Sequence, residues 1–237
     1  MDGPPRDAAG IGALADRLRH QLYQFVCSQA APVSRDQAAD AVGIARHQAK
    51  FHLDRLEAEG LLEADYARLT GRSGPGAGRT SKLYRRVGRD IAVSLPHREY
   101  ELAGRLMAEA IARSEATRVS AAEALHQIAH DYGRQIGEKA ATDGSRGADD
   151  PESALELAAA VLAEHGYQPR RNDAEVQMAN CPFHALAQQQ TELACDMNHA
   201  LICGLADALT PHSPDARLDP KAERCCVVLT LSGKSRA

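Results

Sequence analysis

Apolar residues recur at helical spacing from near the start of the chain. Leu14, Leu18, Leu22, Phe25 and Val26 fall three or four apart and predict a helix. Ser34, followed three residues later by Gln37, is a capping-box start. The short helix it opens runs to about Ala41, and Gly43 breaks it. A second helix is expected from about Ala45 to Glu59, with Phe51, Leu53 and Leu56 facing inward and Gly60 ending it. Leu61-Leu62 begins an extended segment, Gly71, Gly74, Pro75, Gly76 and Gly78 form a loop, and Ser81 to Val87 returns as a strand. Helix, short helix, turn, helix and hairpin, in that order, predict a winged helix-turn-helix over residues 11–92. Residues 1–10, rich in Gly, Pro and Asp, are expected to be a disordered tail.

The helical pattern resumes over 97–141. Leu102, Leu106 and Ile111 make one stripe; Val119, Leu125, Ile128, Tyr132 and Ile136 make another after a break near 117–120. Both stripes need burial, so these helices are expected to be the dimer element. Asp143 to Pro151 reads as a linker. Over 151–237 the pattern predicts a helix at 153–164, short strands near 167–171 and 175–179, a long helix from about His184 to Leu209, and a last strand pair at 216–218 and 224–231. The expected fold class is α+β and mainly helical: an N-terminal winged helix-turn-helix, central dimerisation helices, and a C-terminal α+β sensor domain with a small antiparallel sheet.

Composition narrows the class. The 237 residues are 44% hydrophobic and 25% charged, with no apolar run long enough to span a membrane. The N-terminus lacks a basic start followed by an apolar stretch, so a cytoplasmic protein with reduced thiols is expected. The net charge of −4 argues at first against nucleic acid, but it is an average. Residues 1–90 carry +3 and residues 91–237 carry −7. Between Tyr66 and Arg89 there are seven basic residues and no acid. The front half therefore has a local cationic surface.

The second helix of a helix-turn-helix enters the major groove. Here it carries Arg46, His47, Gln48, Lys50, His52 and Arg55. Arg reads guanine and Gln reads adenine through paired hydrogen bonds, while Lys50 and Arg55 suit phosphate. Arg72, Arg79 and Lys82 at the Gly-rich hairpin suit the wing, placed along the backbone or in a minor groove. The plain alternative is a helical hairpin with a solvated charged face. The stretch from about 14 to 90 also resembles winged-helix regulators of the broad ArsR-like and DeoR-like group. The resemblance rests on Phe51-His52-Leu53-Asp54-Arg55-Leu56, Glu59-Gly60-Leu61-Leu62 and Gly76-Ala77-Gly78-Arg79-Thr80-Ser81-Lys82-Leu83-Tyr84. Thr80 stands where that group usually has Pro.

Five of the six cysteines lie between 181 and 226. Cys27, on the apolar side of the first helix, is expected to be a core thiol. Clustered thiols in a reducing compartment point to a metal, an iron–sulfur cluster or redox sensing. The spacing C-x13-C-x7-C-x21-C-C fits no common zinc finger, where pairs lie two to four residues apart. Cys195 and Cys203, eight residues apart on one helix, are separated by about 12 Å, too far for one ion. Cys225 and Cys226 point to opposite faces if their strand is regular. A simple reading therefore uses Cys181, Cys195 and at least one of Cys225 and Cys226; the fourth ligand is the other vicinal Cys at a strand distortion, His184 or His199, and Cys203 is less suited. The plain alternative is that these thiols are small core residues.

The segments Asn180-Cys181-Pro182-Phe183-His184, Leu193-Ala194-Cys195-Asp196-Met197-Asn198, Arg217-Leu218-Asp219-Pro220 and Cys225-Cys226-Val227 resemble the C-terminal domain of SufR-type regulators and their actinobacterial relatives. That resemblance implies a dimeric repressor of cluster-assembly genes that binds an iron–sulfur cluster, 4Fe-4S or 2Fe-2S, through C-terminal cysteines. The pattern's third cysteine would fall near Leu209 and is missing, which leaves the fourth ligand open. The partners implied are a palindromic double-stranded DNA operator and a second copy of the chain, with no membrane. Zinc or a bare-thiol redox switch is the alternative sensor. A thiol redox enzyme using Cys225-Cys226 is the alternative class, but no C-x-x-C or nucleophile–base motif supports it, so the chain is not expected to be an enzyme.

Overall fold

A computed structural model of the chain describes residues 6–67, 80–142, 149–172, 175–221 and 224–231. They form an α+β structure with two small antiparallel sheets, divided into two compact units, Met1–Val93 and Ser94–Ala237. Among the described residues no helix is long and apolar enough to cross a membrane.

The first unit runs α1 (Arg6–Ala13), α2 (Arg17–Ser28), β1 (Val33–Ser34), α3 (Arg35–Val42), α4 (Arg46–Ala58), β2 (Leu62–Ala67) and β3 (Ser81–Arg86). Helix α1 covers residues 6–10, where disorder is expected from the sequence; residues 1–5 lie outside the described residues. It buries Ala13, and Gly10 lies so close to Leu61 that a Cβ there would be 3.1 Å from its side chain. Asp16 caps α2, accepting from the Arg19 N–H at 2.9 Å. Leu22 and Val26 fill the core while Cys27 faces out, so Cys27 is not the core thiol expected. The Ser34–Gln37 capping box is present, with the Ser34 N–H donating to Gln37 Oε1 at 2.8 Å and the Gln37 N–H to Ser34 Oγ at 3.3 Å. Gly43, at φ 73°, adopts the left-handed conformation that ends α3 and turns the chain into α4. Helix α4 buries Ala49, Leu53 and Leu56 but leaves Phe51 65% exposed, against the inward position expected for it. The sheet order is β1-β3-β2, with Leu62 opposite Arg86 and Ala67 opposite Ser81. Arg72 and Arg79 lie outside the described residues.

The second unit runs α5 (Tyr100–Thr117), α6 (Ala121–Thr142), α7 (Pro151–Glu164), β4 (Pro169–Asn172), β5 (Glu175–Met178), α8 (His184–Gln189), α9 (Thr191–Asp207), β6 (Asp215–Leu218) and β7 (Val227–Thr230), with sheet order β4-β5-β7-β6. Most of both stripes is buried within this unit, although Ile111 on α5 is 57% exposed. Leu102, Leu106, Leu125 and Ile128 belong to one core with Leu155, Leu201, Leu205 and Val227. The central helices are thus part of the C-terminal unit, not a separate element. The expected long helix is two, because Gln190 at φ −137°, ψ 67° breaks the run between α8 and α9.

Helices α6 and α9 cross at backbone contact. A Cβ on Gly133 would overlap the Leu201 carbonyl, and one on Gly204 would overlap the His130 carbonyl. Only hydrogen fits at either place, which accounts for glycines inside helices that they otherwise weaken. His126 and Asp196 (3.1 Å) and His130 and Asp207 (2.9 Å) pair across the same crossing. Gly204→Ala should therefore destabilise the protein by about 1–3 kcal/mol or more, the cost of overpacking a site where backbone must move. Urea unfolding of the full chain measures it, and an unchanged midpoint would mean that the helices do not approach this closely.

Candidate functional site

Three separate elements bring cysteines to one cavity of about 410 Å3 in the second unit. Its lining includes Cys181, Cys195, Cys225, Cys226 and His184. Cys181 follows β5 on a turn held by Asn180. The Asn180 amide donates to the Gly166 carbonyl at 2.6 Å and to the His97 carbonyl at 3.1 Å, and its oxygen accepts from Arg98 at 2.8 Å. Arg98 also donates to the Cys181 carbonyl at 2.6 Å. Cys195 stands in the second turn of α9. Cys225 and Cys226 precede β7: the Cys225 N–H donates to the Met178 carbonyl at 2.9 Å, and the Cys226 carbonyl accepts from the Asp219 N–H at 2.7 Å. Because the pair lies ahead of the regular strand, the alternation expected of its side chains does not apply, and both thiols line the cavity.

The thiols form a chain of contacts, Cys181 to Cys225 to Cys226 to Cys195. Cys225 lies in its middle, with the Asn198 amide beside it. The Cys181 and Cys226 thiols donate to its sulfur, as do the Val227 N–H and the Asn198 amide, and together they outweigh burial and hold it well below the ordinary thiol range. Cys181 and Cys226 are pushed up, first because they are donors to Cys225 and then by burial. Asn198 is 1% exposed, and its Nδ2 lies 3.2 Å from Cys225 Sγ. Its orientation is set from the other side, where the buried Tyr167 hydroxyl donates to Asn198 Oδ1 at 2.5 Å. Arg98, Lys221 and Arg224 complete the lining. Arg224 is tied to Asp219 Oδ2 at 2.5 Å and to the Cys225 carbonyl at 3.2 Å.

Not every candidate ligand reaches this cavity. His184 lines it, but His199 does not: its Nε2 is 3.1 Å from the Ala216 carbonyl and 3.4 Å from Cys203 Sγ. Burial pushes the Cys203 thiol up to about 11, and Cys203 is absent from the lining. Among the described residues no three Cys, His, Asp or Glu side chains meet the geometry of a single-ion site. The four sulfurs are spread round a space more than ten times the ~30 Å3 share of one water molecule. Four soft sulfur donors and an N–H aimed at Cys225 Sγ are the kind of ligand set and outer shell that an iron–sulfur cluster would take. Tyr167, Asn180, Asn198 and Arg224 were not among the candidates read from sequence. Asn198, three residues after Cys195 on one helix face, carried a signal; Tyr167 carried none.

In the first unit the outer face of α4 exposes Arg46, His47, Gln48, Lys50, Phe51 and Arg55. His52 is not on that face; it turns inward, with Nδ1 4.0 Å from Asp16. Gln48 Oε1 accepts from the Ala45 N–H at 3.2 Å, which occupies half of the pair needed to read adenine. Arg46 pairs with Asp36 at 3.5 Å and Arg55 with Glu59 at 2.5 Å. Such surface pairs contribute about 0–1 kcal/mol, so both guanidinium groups can exchange a carboxylate for a phosphate. Lys82 differs from the outward wing residue expected. It is only 25% exposed, and its Nζ binds Asp54 at 2.8 Å and Glu57 at 2.5 Å, because β3 runs beside α4.

Asp54 gathers this corner. It also accepts from Lys50 at 2.6 Å and from the Tyr84 hydroxyl at 2.7 Å. Burial alone would raise its carboxyl, but the hydrogen bonds from Lys50, Lys82 and Tyr84 prevail and hold it at about 2. The unfolded value is about 3.9, so its contribution is complete above roughly pH 4 and is lost as pH falls towards 2. Asp54→Asn should cost about 1 kcal/mol at pH 7 after solvent screening, and the gap from the native chain should close between pH 4 and 2. Urea midpoints over that range test this; a gap independent of pH would assign the effect to packing. In the second unit, Asn198→Leu should cost about 1–3 kcal/mol by leaving the Tyr167 hydroxyl buried without its acceptor. Adding Tyr167→Phe should recover part of that loss in a double-mutant cycle, and strictly additive losses would exclude the relay.

The chain matches no protein-family model, no curated protein and no solved structure.

Proposed function

We propose that the protein is a DNA-binding transcriptional regulator, a repressor, whose C-terminal unit senses iron–sulfur or redox status. The observation that carries the sensor reading is the convergence of Cys181, Cys195, Cys225 and Cys226, from three elements, on one cavity. When bound, an iron–sulfur cluster supplies an oxygen- and redox-sensitive centre. Cys181 holds the end of β5, Cys195 holds α9, and Cys225-Cys226 hold the approach to β7. Ligation through these residues would tie the three elements to one another, and its loss would shift the unit towards a state with different DNA affinity. The resemblance to SufR-type regulators favours repression by the loaded form and control of cluster-assembly genes.

The DNA reading rests on the first unit. Its capped α3, left-handed Gly43, α4 and β2–β3 hairpin follow the order of a winged helix-turn-helix, and α4 presents Arg46, His47 and Arg55 outward. A homodimer would present two such helices to a palindromic operator. Zinc held by the same thiols is the second reading, favoured by the four soft donors alone.

Anaerobic purification of the full chain distinguishes the two. Brown protein with visible absorption, iron and acid-labile sulfide is expected, and colourless protein carrying zinc would overturn the cluster. Cys181→Ala and Cys195→Ala should lose the iron, whereas Cys27→Ala and Cys203→Ala should keep it. Footprinting upstream of its own gene and of cluster-assembly genes should show a protected site.

A further inference from the structure

We infer that Phe51 is a base-reading residue: its exposed ring takes the C5-methyl group of a thymine in the major groove of the operator. The inference rests on the DNA-binding reading of α4 and names the base chemistry that this face selects. Phe51 is 65% exposed, in the middle of a helix of thirteen residues. At 100° per residue it lies about 200° round the helix from Ala49, nearly opposite the buried Ala49, Leu53 and Leu56. No core packing therefore accounts for the ring. Its nearest ring neighbour is His52, edge-on at 5.3 Å, which leaves its outer face uncovered.

The surroundings define the occupant. Phe51 lies in a shallow groove lined by His47, Lys50, Asp54, Arg55 and Ala58. His47, Phe51 and Arg55 follow one another at four-residue spacing, so the ring is bracketed along one stripe by an imidazole and a guanidinium. An apolar ring on the face that also carries Arg46 and Arg55 suits a major groove, whose floor offers the thymine methyl among polar base edges while its walls carry the phosphates. A second protein chain fits this surface less well, since a flat aromatic contact would bury the Lys50–Asp54 and Arg55–Glu59 ion pairs around it. The thymine methyl is the apolar group that the major groove offers, and it distinguishes T·A from every other pair.

The test uses the full chain, the native sequence and Phe51→Ala side by side. A site is first selected from a random duplex pool with the native protein, and each thymine in it is then replaced by deoxyuridine, which lacks only the methyl. Loss of one buried methyl contact should weaken native binding about fourfold at one or more positions, and Phe51→Ala should be indifferent to the same replacements. If the native chain selects a site but no replacement matters, or if each matters equally to Phe51→Ala, the inference is overturned while DNA binding stands. If the native chain selects no site at all, the DNA-binding reading fails and the inference with it. A change in oligomeric state of Phe51→Ala would instead assign the ring to an interface between copies and would also overturn it. Because Phe51 makes no core contact, Phe51→Ala should unfold at the same urea concentration as the native chain.

Discussion

The approach of α6 to α9 at backbone contact is the constraint on which the second unit depends. Two helices whose carbonyls occupy each other's Cβ positions have no freedom to rotate about their axes. With α9 fixed in this way by Gly133 and Gly204, Met197 and Leu201 face the core, and Cys195 and Asn198 are turned towards the end of β5 and the approach to β7. The cavity is thus a consequence of helix packing. The hydrogen bond from Tyr167 to Asn198, and from Asn198 to Cys225, then ties the sulfur chemistry to that packed interior.

How far the sequence revealed this depends on the range of the interaction. The Ser34–Gln37 box and the helix ends at Gly43 and Gly60 are local chemistry, and they occur where the residues predict. The set Cys181, Cys195, Cys225 and Cys226 was also legible, because the distance along a helix separates Cys203 from Cys195 without any knowledge of the fold. Two expectations fail for one reason, that residue type stands in for environment. Phe51 is expected inward because it is apolar, although its angular position on α4 opposes Leu53. Cys27 is expected in the core because thiols usually are, yet it is exposed. The opposite faces of Cys225 and Cys226 hold only for a regular strand, and the pair lies ahead of one. The break at Gln190 has no glycine or proline to announce it. Tyr167 and Asn198 meet across about thirty residues of chain, and no periodicity encodes such a meeting.

Charge gives a similar lesson. The basic run between Tyr66 and Arg89 reads as a cationic wing, yet Lys82 is neutralised by Asp54 and Glu57, Arg85 lies between Glu63 and Asp65, and Arg86 reaches Asp90. The acids come from neighbouring segments that a window on the hairpin does not contain. Of the cations named for DNA on described residues, Lys82 and Lys50 are committed to the Asp54 corner. The outward charge of α4 rests chiefly on Arg46 and Arg55.

Each unit has one group that gathers hydrogen-bond donors, Asp54 in the first and Cys225 in the second, and the comparison bears on function. Asp54 draws its donors from α4 and β3, and two of them, Lys50 and Lys82, are cations. Its charge is matched within the protein, so the corner is structural and seeks nothing further. Cys225 draws its donors from Cys181, Cys226, Asn198 and the backbone, all of them neutral. The cations on its rim are already engaged: Arg224 and Lys221 with Asp219, Arg98 with Asn180 and the Cys181 carbonyl. A thiolate surrounded only by neutral donors would be costly at this depth unless a positive centre joined it. Soft sulfur donors on three sides are the kind that a thiophilic metal prefers. The proposed sensor reading therefore rests on this corner of the second unit and not on the charge-matched Asp54 corner of the first.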